Sequence, residues 1–190
     1  TFGGENPNGR WDIRKNRSAI VPTLVMNDYS VIKVGSNTVG LTSATVTPGA
    51  GGIDVREGVI TLETSTAMGG GAANTMGVKG GAAIDLYNLV VPVPWTLSLA
   101  DNGRFYARQG NATNLNIWAG PVALTGTRGI FDAASGAMGT VSGVVSGDAS
   151  VVKTNSGTIC FSNPNNAYTG TTIVSNGTLS VYYAGALPGY

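Results

Sequence analysis

The feature that most constrains this chain is a short motif that keeps returning: a glycine, then a stretch in which apolar and small residues alternate. Gly58-Val59-Ile60-Thr61-Leu62 and Gly81-Ala82-Ala83-Ile84-Asp85-Leu86 are two instances, and Gly103-Arg104-Phe105-Tyr106-Ala107 is a third. Gly157-Thr158-Ile159-Cys160-Phe161 and Gly177-Thr178-Leu179-Ser180-Val181 are the clearest. Alternation with period two marks a strand with one buried and one wet face. The glycines fall in two runs, Gly58, Gly81, Gly103 and Gly136, Gly157, Gly177, nearly evenly spaced inside each run and separated by one longer step. A period near twenty, built of strands and turns, predicts the coil of a parallel β-helix. Each lap would carry two or three short strands and lie about 4.8 Å from the next.

The rival is an antiparallel sandwich or barrel, which also needs many short strands and frequent turns. Asn8-Gly9, Asn102-Gly103 and Asn176-Gly177 suit hairpin turns. They suit solenoid corners equally, because a corner needs left-handed residues for the same steric reason. The regular period decides for the solenoid. Ile159 and Phe161 should then face the core, with Leu179 and Val181 stacked on them. Ile60 and Leu62, Ile84 and Leu86, and Phe105 and Ala107 should extend such ladders. Ser30–Val34 and 40–42 are expected as early strands within a less regular N-terminal part. Met68-Gly69-Gly70-Gly71 is expected as a loop protruding from one coil.

Composition removes several function classes. There is no histidine, so no Ser-His-Asp triad, Cys-His pair or His-ligated metal can form. A net charge of +1 gives no electrostatic footprint for nucleic acid. No run of about 18 apolar residues is available for a membrane-spanning helix. The single cysteine, Cys160, excludes an intramolecular disulfide. The 42% hydrophobic content suffices for a core and argues against disorder. The abrupt ends read as those of a piece of something longer.

From Trp118 onward the residues resemble a known repeat. Trp118-Ala119-Gly120-Pro121-Val122-Ala123-Leu124-Thr125-Gly126 is similar to the W-x-G-x-V-x-L-x-G stretch of autotransporter passengers. Ser156–Ser162, Asn166-Ala167-Tyr168-Thr169-Gly170-Thr171-Thr172-Ile173 and Asn176–Val181 follow in the order of the autotransporter-associated β-strand repeat. The match covers about 70 residues. Two departures stand out: Asn163-Pro164-Asn165 adds residues before an Asn-Ala-Tyr in place of Asn-Thr-Tyr, and Cys160 takes a position that is usually polar. The resemblance implies a large, secreted, surface-exposed bacterial β-helix, often adhesive or fibrous, with no common catalytic residues to carry over.

Several residues could carry chemistry, and each also has a plain structural reading. Asp54, Asp85, Asp101 and Asp132 read as strand acids, with Asp54 and Asp85 outward. Stacked on one face they would suit calcium or glycan chemistry, but solvated surface acids are the preferred reading. No Asp-x-Asp or Gly-Gly-x-Gly-x-Asp run occurs, against a calcium β-roll. Arg10, Arg14, Lys15 and Arg17, with Asp12 among them, would dock a subunit, lipopolysaccharide or an acidic glycan, yet a charge run is usually a solvated face. Trp11, Trp95 and Trp118 could stack on sugars, although Trp118 is better placed as a core or corner aromatic. Cys160 should face outward by alternation, partly covered and acting as a small apolar residue.

The sequence thus predicts an all-β, single-stranded right-handed parallel β-helix with coils of about 20–23 residues. One domain spans residues 1–190, with residues 1–50 as less regular coils or a cap and residues 118–187 as the best-matching repeat region. The expected role is a secreted, cell-surface structural or adhesive bacterial protein, such as a filament or fibre component assembled through its ends. Self-association, other surface proteins or glycans are the expected partners. No catalytic residue, cofactor or metal is assigned and no nucleic acid is expected. A polysaccharide-binding or -cleaving β-helix and a phage tailspike-like protein are the alternatives.

Overall fold

A computed structural model describes residues 8–12, 19–109 and 116–188. The chain winds as a β-solenoid of about 7 turns, and among the described residues there is no helix. The strands stack into parallel ladders on three sides. The first sheet runs through Asn8–Asp12, Ser30–Val34, Ile53–Val55, Thr75–Val78, Thr96–Ala100, Val122–Thr125, Val145–Gly147 and Ala167–Tyr168. The second runs through Ala19–Ile20, Thr38–Thr42, Val59–Glu63, Ala83–Tyr87, Arg104–Arg108, Arg128–Ala133, Ser150–Thr154 and Thr172–Val174. The third side carries Thr23–Val25, Thr45–Thr47 and Ala67–Met68 in the early coils. In the later coils it carries Ile117–Trp118, Met138–Val141, Thr158–Phe161 and Thr178–Val181.

The stacking is in register. Ile159 pairs with Leu179 and Phe161 with Val181, on parallel strands. Ile60 and Leu62 pair with Ile84 and Leu86, and these with Phe105 and Ala107. The two sets belong to different sides, however. The glycines at 58, 81 and 103 open strands of the second sheet, whereas those at 136, 157 and 177 open strands of the third side. Arg104 pairs with Ile130, so Gly103 lies against Gly129. The long step between the two runs is one full lap to Gly129, then one strand and corner more. Lap length also varies more than the glycines suggest. The lap from Phe105 to its partner Phe131 takes more chain than the lap from Ile159 to its partner Leu179.

Inside, the ladders become columns of like residues. Val31, Ile53, Met76, Leu97, Val122 and Val145 are in line along the first sheet, and all are buried. Aromatic rings from all three sides meet in the interior. Phe105 meets Trp118 edge-on at 6.3 Å, Phe131 meets Phe161 edge-on at 5.2 Å, and Phe161 meets Tyr168 at 6.5 Å. Such edge-to-face pairs add to the stabilisation from burying the rings.

The corners use glycine for two separate reasons. Gly177 has φ 72°, in the left-handed region that other residues adopt poorly. At Gly157 the left-handed residue is instead the nearby Asn155, φ 56°. Gly157 is needed because a Cβ there would strike the Ala134 carbonyl oxygen. Gly157 thus serves its corner by close approach, and the left-handed conformation that a corner needs falls to Asn155. The Asn102-Gly103 and Asn176-Gly177 pairs are corners between parallel strands and not hairpins. The stretch Met68–Gly71 does not protrude freely. Met68 is buried, Gly69 N–H donates to Val46 O at 2.9 Å, and Gly71 N–H donates to Asn74 Oδ1 at 3.1 Å.

Candidate functional site

The outer face of the second sheet collects the densest polar chemistry among the described residues. The register of five successive strands places Thr61, Asp85, Tyr106, Asp132 and Thr154 in one outward column. Arg104 and Arg108 alternate with the core residues Phe105 and Ala107 in the same strand, so both also project outward. Arg108 Nη2 meets Asp85 Oδ2 at 2.6 Å, and its guanidinium lies over the Tyr87 ring, 5.0 Å from the centroid. Arg104 Nη2 is paired with Asp132 Oδ2 and lies 4.6 Å over the Tyr106 ring. Thr154 Oγ1–H donates to Asp132 Oδ1.

The sequence reads both acids as solvated surface groups, and the structure corrects this: each is only 2% exposed. Their strands point them away from the core, but the arginine and tyrosine side chains fold over them and exclude water. Asp132 has partners on both oxygens. Asp85 has the weaker set, a 3.4 Å bond from Thr61 and the Arg108 pair, and its Oδ1 is buried without a partner. Burial accordingly pushes the Asp85 carboxyl from 3.8 up to about 6, against the opposing pull of Arg108.

The other sequence candidates are scattered. Asp54 lies on the first sheet, partly exposed, and pairs with Arg56 at 2.7 Å. Asp101 is not on a strand. It sits in the turn after Thr96–Ala100 with φ 47°, where its Oδ1 accepts from Thr127 N–H at 3.2 Å. Trp95 and Trp118 are fully buried. Their indole N–H groups donate to Gly69 O at 2.6 Å and to Trp95 O at 2.8 Å, so neither offers a stacking surface. The side chains of Arg10, Trp11 and Asp12, and residues 14, 15 and 17 altogether, lie outside the described residues. Cys160 is 1% exposed: it lies outward between the core residues Ile159 and Phe161, as alternation predicts, and its cover is complete where partial cover was expected. It pairs in register with Thr140 and Ser180, and burial pushes its thiol pKa up.

Two lysines that sequence reading passed over prove structural. Lys33 and Lys153 occupy inward positions, in register with Val55 and Phe131 respectively, and are fully buried. Lys33 Nζ donates to the carbonyls of Val34, Gly35 and Glu57 at 3.1, 2.5 and 2.9 Å. Lys153 Nζ does the same for Thr154, for Asn155 at 2.7 Å and for Asn176 at 3.1 Å. The signal was present in Ser30-Val31-Ile32-Lys33-Val34-Gly35-Ser36 and Ser150-Val151-Val152-Lys153-Thr154-Asn155-Ser156, one kind of turn used once after a first-sheet strand and once after a second-sheet strand. In each, an ammonium satisfies carbonyls that the turn cannot pair.

Residues of the repeat signature have equally plain duties. Asn166 ties coils together: its Oδ1 accepts from Val145 N–H at 2.8 Å and its Nδ2 donates to Ala186 O at 2.8 Å. Tyr168 is buried, with its hydroxyl 2.6 Å from Thr172 Oγ1. Gly170 passes so close to Ala149 that a Cβ there would overlap its backbone.

Comparison with known families matches residues 151–181 to the passenger-associated-transport-repeat. Comparison with curated proteins and with solved structures gives no match. Among the described residues no helix is long and apolar enough to cross a membrane. The matched segment takes in most of the strand Ser150–Thr154 and all of Thr158–Phe161, Ala167–Tyr168, Thr172–Val174 and Thr178–Val181, so it crosses the second and third sides twice and the first sheet once. With that repeat seated in a parallel solenoid, the chain fits an autotransporter passenger-like β-helix repeat protein.

Proposed function

We propose that this chain is part of the surface-displayed passenger of a bacterial autotransporter, where it serves as a rigid structural or adhesive stalk. The observation that carries the reading is the match at residues 151–181, lying in register within ladders that run through the described chain. The duties of the conspicuous polar residues support it. Asn74, Asn116 and Asn166 bond backbone between coils, and Lys33 and Lys153 cap corners. Asp85 and Asp132 are covered by arginines. A parallel stack of this kind resists bending, because every strand between the ends is hydrogen-bonded on both edges.

The test uses cells producing the natural full-length gene product and an antibody raised against residues 19–188. Labelling of intact cells, lost after protease treatment of the cell exterior, is the expected result. Labelling that appears only after the envelope is permeabilised refutes surface display. Adhesion of the same cells to host-cell or abiotic surfaces, compared with cells lacking the solenoid, then separates an adhesive from a purely structural role.

A further inference from the structure

Two chemically identical dipeptides stand at corners of this solenoid in opposite states. Asn-Gly is the pair in which a backbone most readily attacks its own side chain, because a following residue without Cβ leaves its amide nitrogen room to reach the asparagine amide. Asn102-Gly103 precedes the strand Arg104–Arg108, and Asn176-Gly177 precedes Thr178–Val181. In a third such pair, Asn8-Gly9, the side chain lies outside the described residues.

At Asn102 both reacting groups are committed elsewhere. Oδ1 accepts from Arg128 Nε at 2.5 Å, and the Gly103 N–H donates to Ala100 O at 2.8 Å. Gly103 is buried, and the strand it opens has neighbours on both edges. At Asn176 the two groups are turned on each other. The Gly177 N–H donates to Asn176 Oδ1 at 2.8 Å, which holds the nitrogen beside the carbon that bears this oxygen. Both residues are exposed, and Thr178–Val181 is the last strand of its ladder among the described residues. The backbone carbonyl of Asn176, at 3.1 Å, is one of the three that the buried Lys153 ammonium caps.

We infer that Asn176-Gly177 is a self-modification site, converting to an isoaspartyl link whose new carboxylate faces Lys153. The Gly177 nitrogen bonds to Asn176 Cγ, and the bond from Cγ to the side-chain nitrogen breaks. The proton of Gly177 passes through water to that side-chain nitrogen, which leaves as ammonia. Water then opens the resulting five-membered imide at one of its two carbonyls. Attack at the former backbone carbonyl breaks its bond to the Gly177 nitrogen, which regains a proton, and the chain now runs through Cγ. No electrons are exchanged, and water is the only co-reactant. Attack there places negative charge on the oxygen to which Lys153 Nζ already donates, so the ammonium favours this route over opening at Cγ. The product gives Lys153 a carboxylate in place of a neutral carbonyl, within a stretch, residues 154–190, that holds no other charged side chain. The inference is independent of surface display, because it concerns the purified protein.

The test incubates the purified chain at mildly alkaline pH, native or in urea. Peptides spanning the two corners are then followed by mass spectrometry, with isoaspartate and aspartate forms separated by chromatography. In the native chain Asn176 should convert at least about tenfold faster than Asn102, since freeing the Gly103 amide first breaks a backbone hydrogen bond. In urea the two rates should converge. The isoaspartate share at position 176 should be higher in the native chain than in urea. Asn176→Gln, whose longer side chain would have to close a six-membered ring, should leave its peptide unconverted. Equal rates at the two native corners, no conversion at Asn176, a preference for Asn176 that persists in urea, or an isoaspartate share no higher in the native chain overturns the inference.

Discussion

Asp85 makes a prediction that runs against the usual behaviour of acids in folded proteins. Most carboxylates are stabilised by folding; this one is penalised, its pKa rising from 3.8 to about 6 because burial outweighs the pull of Arg108. Between those two pH values the folded chain holds a proton that the unfolded chain has released. Stability should therefore rise as the pH falls from about 6 towards 4, and above pH 6 the whole penalty stands. A shift of about two units corresponds to about 3 kcal/mol. Asp85→Asn removes the charge yet keeps an oxygen to accept from Thr61 and Arg108. Arg108 is 43% exposed, so its guanidinium can hydrate in place, and its pull is already counted in the shift; what must be subtracted is the cost of burying an Asn NH2 group where Asp85 Oδ1 has no partner, about 1 kcal/mol. The variant should be more stable than the parent by about 2 kcal/mol at pH 7.5, or about 4–8 °C in melting temperature. Its advantage should shrink as the pH is lowered to 4. The assay is circular-dichroism melting of both proteins from pH 4 to 8. A lower melting temperature for Asp85→Asn at pH 7.5, or an advantage that does not change with pH, refutes the reasoning.

The corner glycines and the buried thiol supply the remaining predictions. Gly157→Ala should destabilise by about 2 kcal/mol or more through overlap with Ala134 O, whereas Gly81→Ala, which meets open space at φ 82°, should cost about 1 kcal/mol of backbone strain; urea unfolding of the two variants measures the difference. Cys160 should resist a thiol reagent in the native protein and react once urea unfolds it, so rapid native labelling would contradict its burial.

Much of the architecture is legible in the residues. Ser30–Val34 reads as a strand and is one to the residue, and the stacking of Ile159 on Leu179 follows from the glycine period alone. The alternation of Ile159, Cys160 and Phe161 tells which side chains enter the core. Cys160 lies outward as the alternation predicts, yet outward is not the same as exposed: it is buried because neighbouring strands and side chains cover the outer face too. The same gap explains Asp85 and Asp132. Their burial comes from Arg104 and Arg108 folding over them, and those arginines come from a different lap than either acid. Only knowledge of the offsets between laps brings them together, and the long lap between Phe105 and Phe131 departs from the period that the glycines announce. Which of three sides each glycine opens is likewise hidden, since all corners ask for similar residues.

Unequal laps have a further consequence. What must be conserved from one turn to the next is the pairing of strands; the amount of chain between them is free. A turn can lengthen, as between Phe105 and Phe131, while Phe, Ala and Arg still find their partners above and below. Insertions and deletions in such a molecule are therefore absorbed where they arise and do not propagate along the rod. Each bend is a site where new loops can be tried without disturbing the scaffold, which lets a solenoid diversify its exterior while its interior stays the same.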